Sequence, residues 1–452
     1  MDSVARGTLL NLGARTLTVV GVLAITTVTA RLGPTVQGAF ALFVSIEGAC
    51  AALLSGFGIA LARRVSHHGD DPRALLSAMA LGCIALGCVM ALALALLARH
   101  APPAYASLWI LALAAPLLLL APNLAGLWLG AGRMGPMAAL SLAPPWLALA
   151  LLAPWWLVAV IGVGPPDGTG LALQTVLGSW VAAKVLVALA LLGVLWRAAM
   201  LVRPGLAALR RELAFIATIG MTNVVALANY RVGLFVVERT LGLSATGVYS
   251  IAVAVAELLW FVSSSLTQAV YGRIGTKDRA VAAATTLRAV HLSLAALLLF
   301  APLLMLAAVW VLPQLLGAVY AESLLPLAIL LPGVSLFGGA SALSAYFTNH
   351  AGLPSWPARV ALLSLLLNAA LSVLLVPRLG MAGAALAASL SYGLAVALLA
   401  GLFVRHAGLP ARRLLPGAAL RRDLVAISAT LFGWGRRLRR GWHAGRGIGG
   451  RG

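Results

Sequence analysis

The sequence is short of acid and of charge altogether. Asp and Glu together number 11 in 452 residues, and charged residues make up only 10% of the chain. A soluble globular protein carries roughly a quarter. With 62% hydrophobic residues the composition is that of an integral membrane protein. Cysteine is scarce as well: Cys50, Cys83 and Cys88 lie inside apolar runs without Cys-x-x-Cys spacing, which reads as small packing residues rather than a metal or redox centre. No Gly-Lys-Ser/Thr loop is present to cradle a nucleotide's phosphates, so the chain does not hydrolyse ATP itself. No hydrophilic connection is long enough for a separate catalytic domain, which argues against membrane polymerases and glycosyltransferases and for a non-enzyme. No cofactor is expected.

What is abundant is apolar sequence and arginine. The 32 Lys and Arg give a formal net charge of +21, a value that also suits nucleic-acid binding. Position decides against nucleic acid, because the basic residues fall in short connections between apolar runs. Crossing a bilayer takes about 20 apolar residues in a helix. Cutting at charge, Pro and Gly gives segments 8–30, 39–62, 74–98, 108–130, 138–163 and 171–195, then 214–237, 248–271, 289–312, 324–347, 360–376 and 384–404. The expectation is an all-α integral membrane protein of about 12 transmembrane helices, in two parallel six-helix lobes around a central cavity.

With the N-terminus in the cytoplasm, 26 of the 32 basic residues lie on the cytoplasmic side and only Arg31, Arg99, Arg239 and Arg378 on the other. That asymmetry predicts N-in, C-in topology. No convincing cleavage site follows the first apolar run, which reads as a retained span. The domain expectation is an N-lobe at 1–196, a cytoplasmic connector at 197–213, a C-lobe at 214–404 and a basic tail at 405–452. Within the tail, 424–434 is too short to span and reads as an interfacial helix on membrane lipids, with docking to a partner protein as the alternative.

The halves share a register. Gly33 and Gly242, Gly38 and Gly247, and Arg64 and Arg273 are each 209 positions apart, with Phe40 against Tyr249 and Ser55 against Ser264 in step. This predicts a duplicated hairpin of two membrane helices joined by a short Gly turn.

Polar residues inside spans are the candidate site, since a charge at bilayer depth costs about 2.5–3.5 kcal/mol or more unless it faces protein or water. Asn11, Arg15, Thr18, Thr26 and Thr29 share one face of the first helix, and Arg15 either lines a lumen or snorkels to the interface. Lys184 is too deep to snorkel and should face the interior. Asn223, Asn229 and Arg231 cluster on the seventh helix, although Arg231 projects about 200° from Asn229. Glu47 and Glu257 stand at nearly matching places in the two repeats, as coupling residues or as structural ion pairs. His291 and Asn368 read as packing groups. Prolines inside spans, among them Pro116, Pro122, Pro144, Pro145, Pro154 and Pro332, predict kinks.

The stretch Thr246-Gly247-Val248-Tyr249-Ser250 with Ala256-Glu257-Leu258, the stretch from Asn368 through Val376-Pro377-Arg378-Leu379-Gly380 to Tyr392, and Ala30-Arg31-Leu32-Gly33-Pro34 with Gly38 resemble bacterial polysaccharide-repeat (O-antigen type) flippases. These belong to the multidrug, oligosaccharidyl-lipid and polysaccharide exporter (MOP) superfamily. The resemblance implies a bacterial inner-membrane protein of lipopolysaccharide or related polysaccharide biosynthesis. It would move a lipid-linked oligosaccharide, carried on an isoprenoid diphosphate, from the cytoplasmic to the periplasmic leaflet. A polysaccharide polymerase and chain-length proteins are the implied partners. A cationic lumen built from Arg15, Lys184 and Arg231 suits a diphosphate. Two alternatives stand beside it: a cation- or proton-coupled multidrug antiporter using Glu47 or Glu257, and a non-transporting subunit of a polysaccharide assembly complex. The signature and additional spans of the lipid II flippase branch are missing.

Overall fold

A computed structural model describes residues 3–67, 72–100, 102, 105–160 and 169–415; side chains of 3–12, 155–160, 169–171, 269 and 272 are outside that description. Helix is the regular structure throughout these residues. The spans are α1 (Ser3–Arg31), α2 (Pro34–His67), α3 (Pro72–His100), α4 (Leu108–Gly130), α5 (Met134–Val160) and α6 (Thr169–Arg197). After a connection come α7 (206–241), α8 (243–274), α9 (Arg279–Leu316), α10 (324–350), α11 (Ser355–Leu379) and α12 (Met381–Ala407). Eleven helical stretches among the described residues are long and apolar enough to cross a membrane. One of them contains both α7 and α8, parted only by the non-helical Gly242, so the stretches amount to the twelve spans expected.

Local chemistry sets the boundaries. Gly33 (φ +117°) and Gly242 (φ +85°) take the left-handed backbone region that L side chains avoid, so the two Gly turns of the repeat share their conformation as well as their spacing. Pro34 opens α2, where its missing N–H costs nothing. Asp278 caps α9, its Oδ1 accepting from the amides of Ala280 (2.8 Å) and Val281 (3.1 Å). Within α4 the helix breaks at Leu119 (φ −91°, ψ −3°), because Pro122 offers no N–H to the carbonyl of Leu118. Beside the break, Asn123 donates from Nδ2 to the Leu119 carbonyl at 2.8 Å.

The chain forms two compact units. Unit 1 comprises Met1–Val253, Ala308–Pro326 and Leu365–Ala388; unit 2 comprises Ala254–Ala307, Leu327–Ser364 and Ser389–Gly452. This division crosses several helices at mid-length, whereas the lobe boundary drawn from sequence follows the connector.

Unit 1 has an apolar core running through α2, α3, α4 and α6, with Leu54, Leu61, Leu76, Met79 and Leu120 fully buried. Unit 2 is centred on the C-terminal end of α10, where Tyr346 and Phe347 are buried on a single π-helical turn. Tyr346 meets the ring of Phe403 edge-on at 4.8 Å, and its hydroxyl lies 3.0 Å from His406 Nδ1. His291 faces the Leu414 carbonyl at 3.0 Å, a packing role consistent with its reading from sequence. The tail is described only to residue 415, and the segment 424–434 read as an interfacial helix lies outside the described residues.

Candidate functional site

A buried acid in unit 1 joins α2 to α6. Trp180 and Lys184 are four residues apart and so share a face of α6. Both point at Glu47, which is 4% exposed. Trp180 Nε1 donates to Glu47 Oε2 at 2.6 Å, and Lys184 Nζ donates to Oε1 in an ion pair. The ammonium also sits 4.1 Å from the centre of the Trp180 ring, a cation–π contact. Phe40, two helical turns before Glu47, closes the assembly by meeting Trp180 edge-on at 5.7 Å. Each carboxylate oxygen therefore has a donor, and acid and base neutralise one another within the span. Lys184 is thus half of an ion pair rather than a bare cation.

The other sequence candidates fall in separate places. Asn223 Nδ2 donates to Ser55 Oγ at 2.8 Å, tying α7 to α2. Asn229 is buried, and its backbone carbonyl accepts from Asn368 Nδ2 at 2.8 Å. Ser372 Oγ donates in turn to Asn368 Oδ1 at 3.3 Å, so these groups lock α7 to α11. Arg231 is half-buried on α7. Arg15 is exposed, and the side chain of Asn11 is outside the described residues. Glu257 is half-buried in unit 2. In the 209-residue register the equivalent of Glu47 is Ala256, 1% exposed, which places Glu257 one residue, about 100°, around its helix.

The threonines on the shared face of α1 bond back to their own helix. Thr18 Oγ1 donates to the Ala14 carbonyl at 2.8 Å, Thr26 to Val22 at 3.0 Å and Thr29 to Ile25 at 3.1 Å. A threonine that satisfies its hydroxyl on the preceding turn needs no water. Thr29 is fully buried and also touches Gln37, whose Nε2 donates to Ser250 Oγ at 3.0 Å.

Unit 1 is also held together at both ends of its helices by residues that the sequence did not single out for a role. At the end bearing the Gly33 turn, Arg31 donates from Nη2 to the Gln314 carbonyl at 3.0 Å and from Nε to Leu315, capping the last carbonyls of α9. Tyr320 donates to the Ala30 carbonyl at 3.0 Å, and Tyr105 to Glu238 Oε2 at 2.7 Å. Burial first, and then the bond to Glu238, push the Tyr105 phenol above its usual range. At the opposite end Glu212, 2% exposed, accepts from Arg63 Nη2 at 2.9 Å and Arg64 Nε at 2.8 Å. Arg63 also lies over the Phe215 ring at 4.3 Å. The start of α7 is thereby fixed to the end of α2.

No family profile matches the sequence, nor does any curated protein. Solved structures do match. One is an inward-facing multidrug resistance MATE family transporter of the MOP superfamily, with 15% identity and a TM-score of 0.69 over 92% of this chain and 99% of that one. Another is the lipid II flippase MurJ in an inward closed conformation, at 13% identity and a TM-score of 0.64 over 91% and 89%. A third is a MOP superfamily transporter from Pyrococcus furiosus whose binding pocket is described as reversed in polarity, at 15% identity and a TM-score of 0.61 over 89% and 95%. The chain is a multi-pass membrane protein with the fold of MOP-superfamily transporters.

Proposed function

We propose that this protein is a flippase for lipid-linked oligosaccharide, carrying an isoprenoid-diphosphate-linked repeat unit from the cytoplasmic to the periplasmic leaflet by alternating access. The observation that carries the reading is the state of Glu47. Its two oxygens are taken by Lys184 and Trp180, so the buried acid of the first six spans is not offered to a cationic cargo. Arg15 and Arg231 are basic residues within the apolar segments 8–30 and 214–237, and a polyanionic diphosphate is the cargo that such charges favour. Asn223 and Asn229, on the same helix as Arg231, tie that helix to α2 and α11. The MOP fold supports a transporter rather than an enzyme, and it is shared with a structure described as a lipid II flippase. The setting is the bacterial inner membrane with both termini in the cytoplasm, beside a polysaccharide polymerase and chain-length proteins.

A second reading is a cation- or proton-coupled multidrug antiporter, favoured by the TM-score of 0.69 to a MATE family transporter. Glu257 is then the coupling acid to neutralise. One strain separates the two. On deletion, the flippase reading expects isoprenoid-linked repeats to accumulate on the cytoplasmic leaflet and to be cleared by wild type but not by Arg15→Ala or Arg231→Ala. Normal delivery of repeats to the periplasm, with altered drug accumulation that Glu257→Gln reproduces, establishes the antiporter instead. If the variants clear repeats as well as wild type does while deletion still blocks delivery, the protein acts as a non-transporting subunit of the assembly complex.

A further inference from the structure

Two arginines that neither the charge pair nor the polar stripe of α7 uses meet in one groove of unit 2. The groove lies between α8 and α9 and has a cavity volume of about 480 Å³. From α8 it is lined by Leu266, Val270 and Arg273, spaced four and three residues apart on one helical face. From α9 come Thr285, Arg288 and Leu292, with the same three-and-four spacing. Arg273 and Arg288 are exposed, and they are the charged residues among those lining the groove.

The arrangement has a direction. Arg273 is one residue from the end of α8, whereas Leu266 lies seven residues back, about 10 Å deeper along the helix. On α9 the stretch from Leu292 to Leu316 alone covers about 37 Å, which exceeds the roughly 30 Å hydrocarbon core. Arg288 therefore stands at the hydrocarbon edge, the level at which lipid phosphates lie. The groove is cationic at that level and apolar below it.

We propose that the α8–α9 groove is a binding site for an anionic phospholipid of the surrounding leaflet. The two guanidinium groups clasp its phosphate, Thr285 donates to a headgroup or ester oxygen, and the acyl chains run over Leu266, Val270 and Leu292. A soluble phosphate has no use for the apolar wall, and a zwitterionic headgroup brings its own cation against two arginines. The basic side of the membrane protein is also where anionic lipid is concentrated. This site is separate from the residues to which transport is assigned above and stands whatever the cargo is.

The test is native mass spectrometry of the full chain exchanged into mixed micelles containing either phosphatidylglycerol or phosphatidylcholine. Wild type should retain phosphatidylglycerol in preference. Arg273→Gln/Arg288→Gln should retain about tenfold less, the size expected for lost charge-assisted hydrogen bonds. Arg279→Gln/Arg413→Gln, around the adjoining cavity of about 300 Å³, should retain it as wild type does. A photoactivatable phosphatidylglycerol should crosslink to wild type within residues 266–292, which keeps the proposal testable if the double variant does not fold. Undiminished retention in a folded double variant, or crosslinks elsewhere, overturns the proposal. So does displacement of the lipid by inorganic pyrophosphate, which marks a soluble-anion site. Displacement by equimolar undecaprenyl diphosphate assigns the groove to the isoprenoid lipid and overturns the phospholipid as occupant.

Discussion

Gly38 of α2 and Gly247 of α8 are reciprocal contacts: each lies against the first turn of the other's helix. A Cβ on Gly38 would fall 2.0 Å from the carbonyl oxygen of Leu243, and one on Gly247 would fall 1.9 Å from that of Pro34. Leu243 and Pro34 are themselves 209 positions apart, so the duplicated hairpin packs against its own copy at equivalent places. Neither carbonyl can yield without moving a helix. Gly38→Ala and Gly247→Ala should each destabilise the purified protein by about 1–3 kcal/mol, the usual range for overpacking. Thermal unfolding in detergent measures it, and an unchanged midpoint would show that the two turns part in solution.

The pairing of Glu47 with Lys184 makes a second prediction. Removing one partner of a buried pair strands the other, at about 3–5 kcal/mol. Glu47→Leu or Lys184→Met alone should therefore be far worse than the two together. The double-mutant cycle on thermal stability reads the difference, and additive effects would mean that the contact contributes nothing.

Glu212 holds the start of α7 to Arg63 and Arg64. With Glu212→Gln the bond from Arg64 weakens and two arginines face one another without their acid. Limited proteolysis should then cut between residues 198 and 205 severalfold faster than in wild type, while Glu212→Asp falls between. Equal rates would show that backbone contacts alone, such as Gly205 N–H to the Ala74 carbonyl at 2.9 Å, fix the connection.

Tyr105 supplies a pH dependence. Its phenol is raised in the folded protein, chiefly by burial, so the folded state holds that proton more tightly than the unfolded chain does. The stabilisation is fully present below the ordinary tyrosine range, about pH 10, and is lost as pH climbs above it. Between about pH 9 and 11.5 the melting midpoint of wild type should fall more steeply than that of Tyr105→Phe. Parallel slopes would place the alkaline loss elsewhere.

Much of the fold was legible because membrane helices must satisfy their backbones internally, so apolar length alone marks them. The Gly turns were legible because a left-handed residue strongly favours glycine, and two of them in one register leave a trace. Glu47 and Lys184 stood out separately as costly intramembrane charges. That they meet was not legible, since 137 residues of chain separate them and no periodicity spans that distance. On α1 the shared threonine face was visible, but the choice between water and the helix's own carbonyls is made by local geometry. Gln37, Glu212 and Tyr105 escaped notice because each looks like an ordinary residue at the edge of a span. Gln37 carried the one available signal, a polar side chain inside the repeated Gly-x4-Gly turn.

The pair between α2 and α6 has a consequence for biogenesis. A ribosome adding about 5–20 residues per second needs roughly 7–27 s to make the 137 residues from Glu47 to Lys184. For that interval the carboxyl of α2 is in or beside the translocon without its counter-charge. Lys184 then enters a bilayer in which its partner is already waiting, so the sixth helix meets a prepared acid where the second met none. The order of synthesis thus places the unpaired state on α2 first.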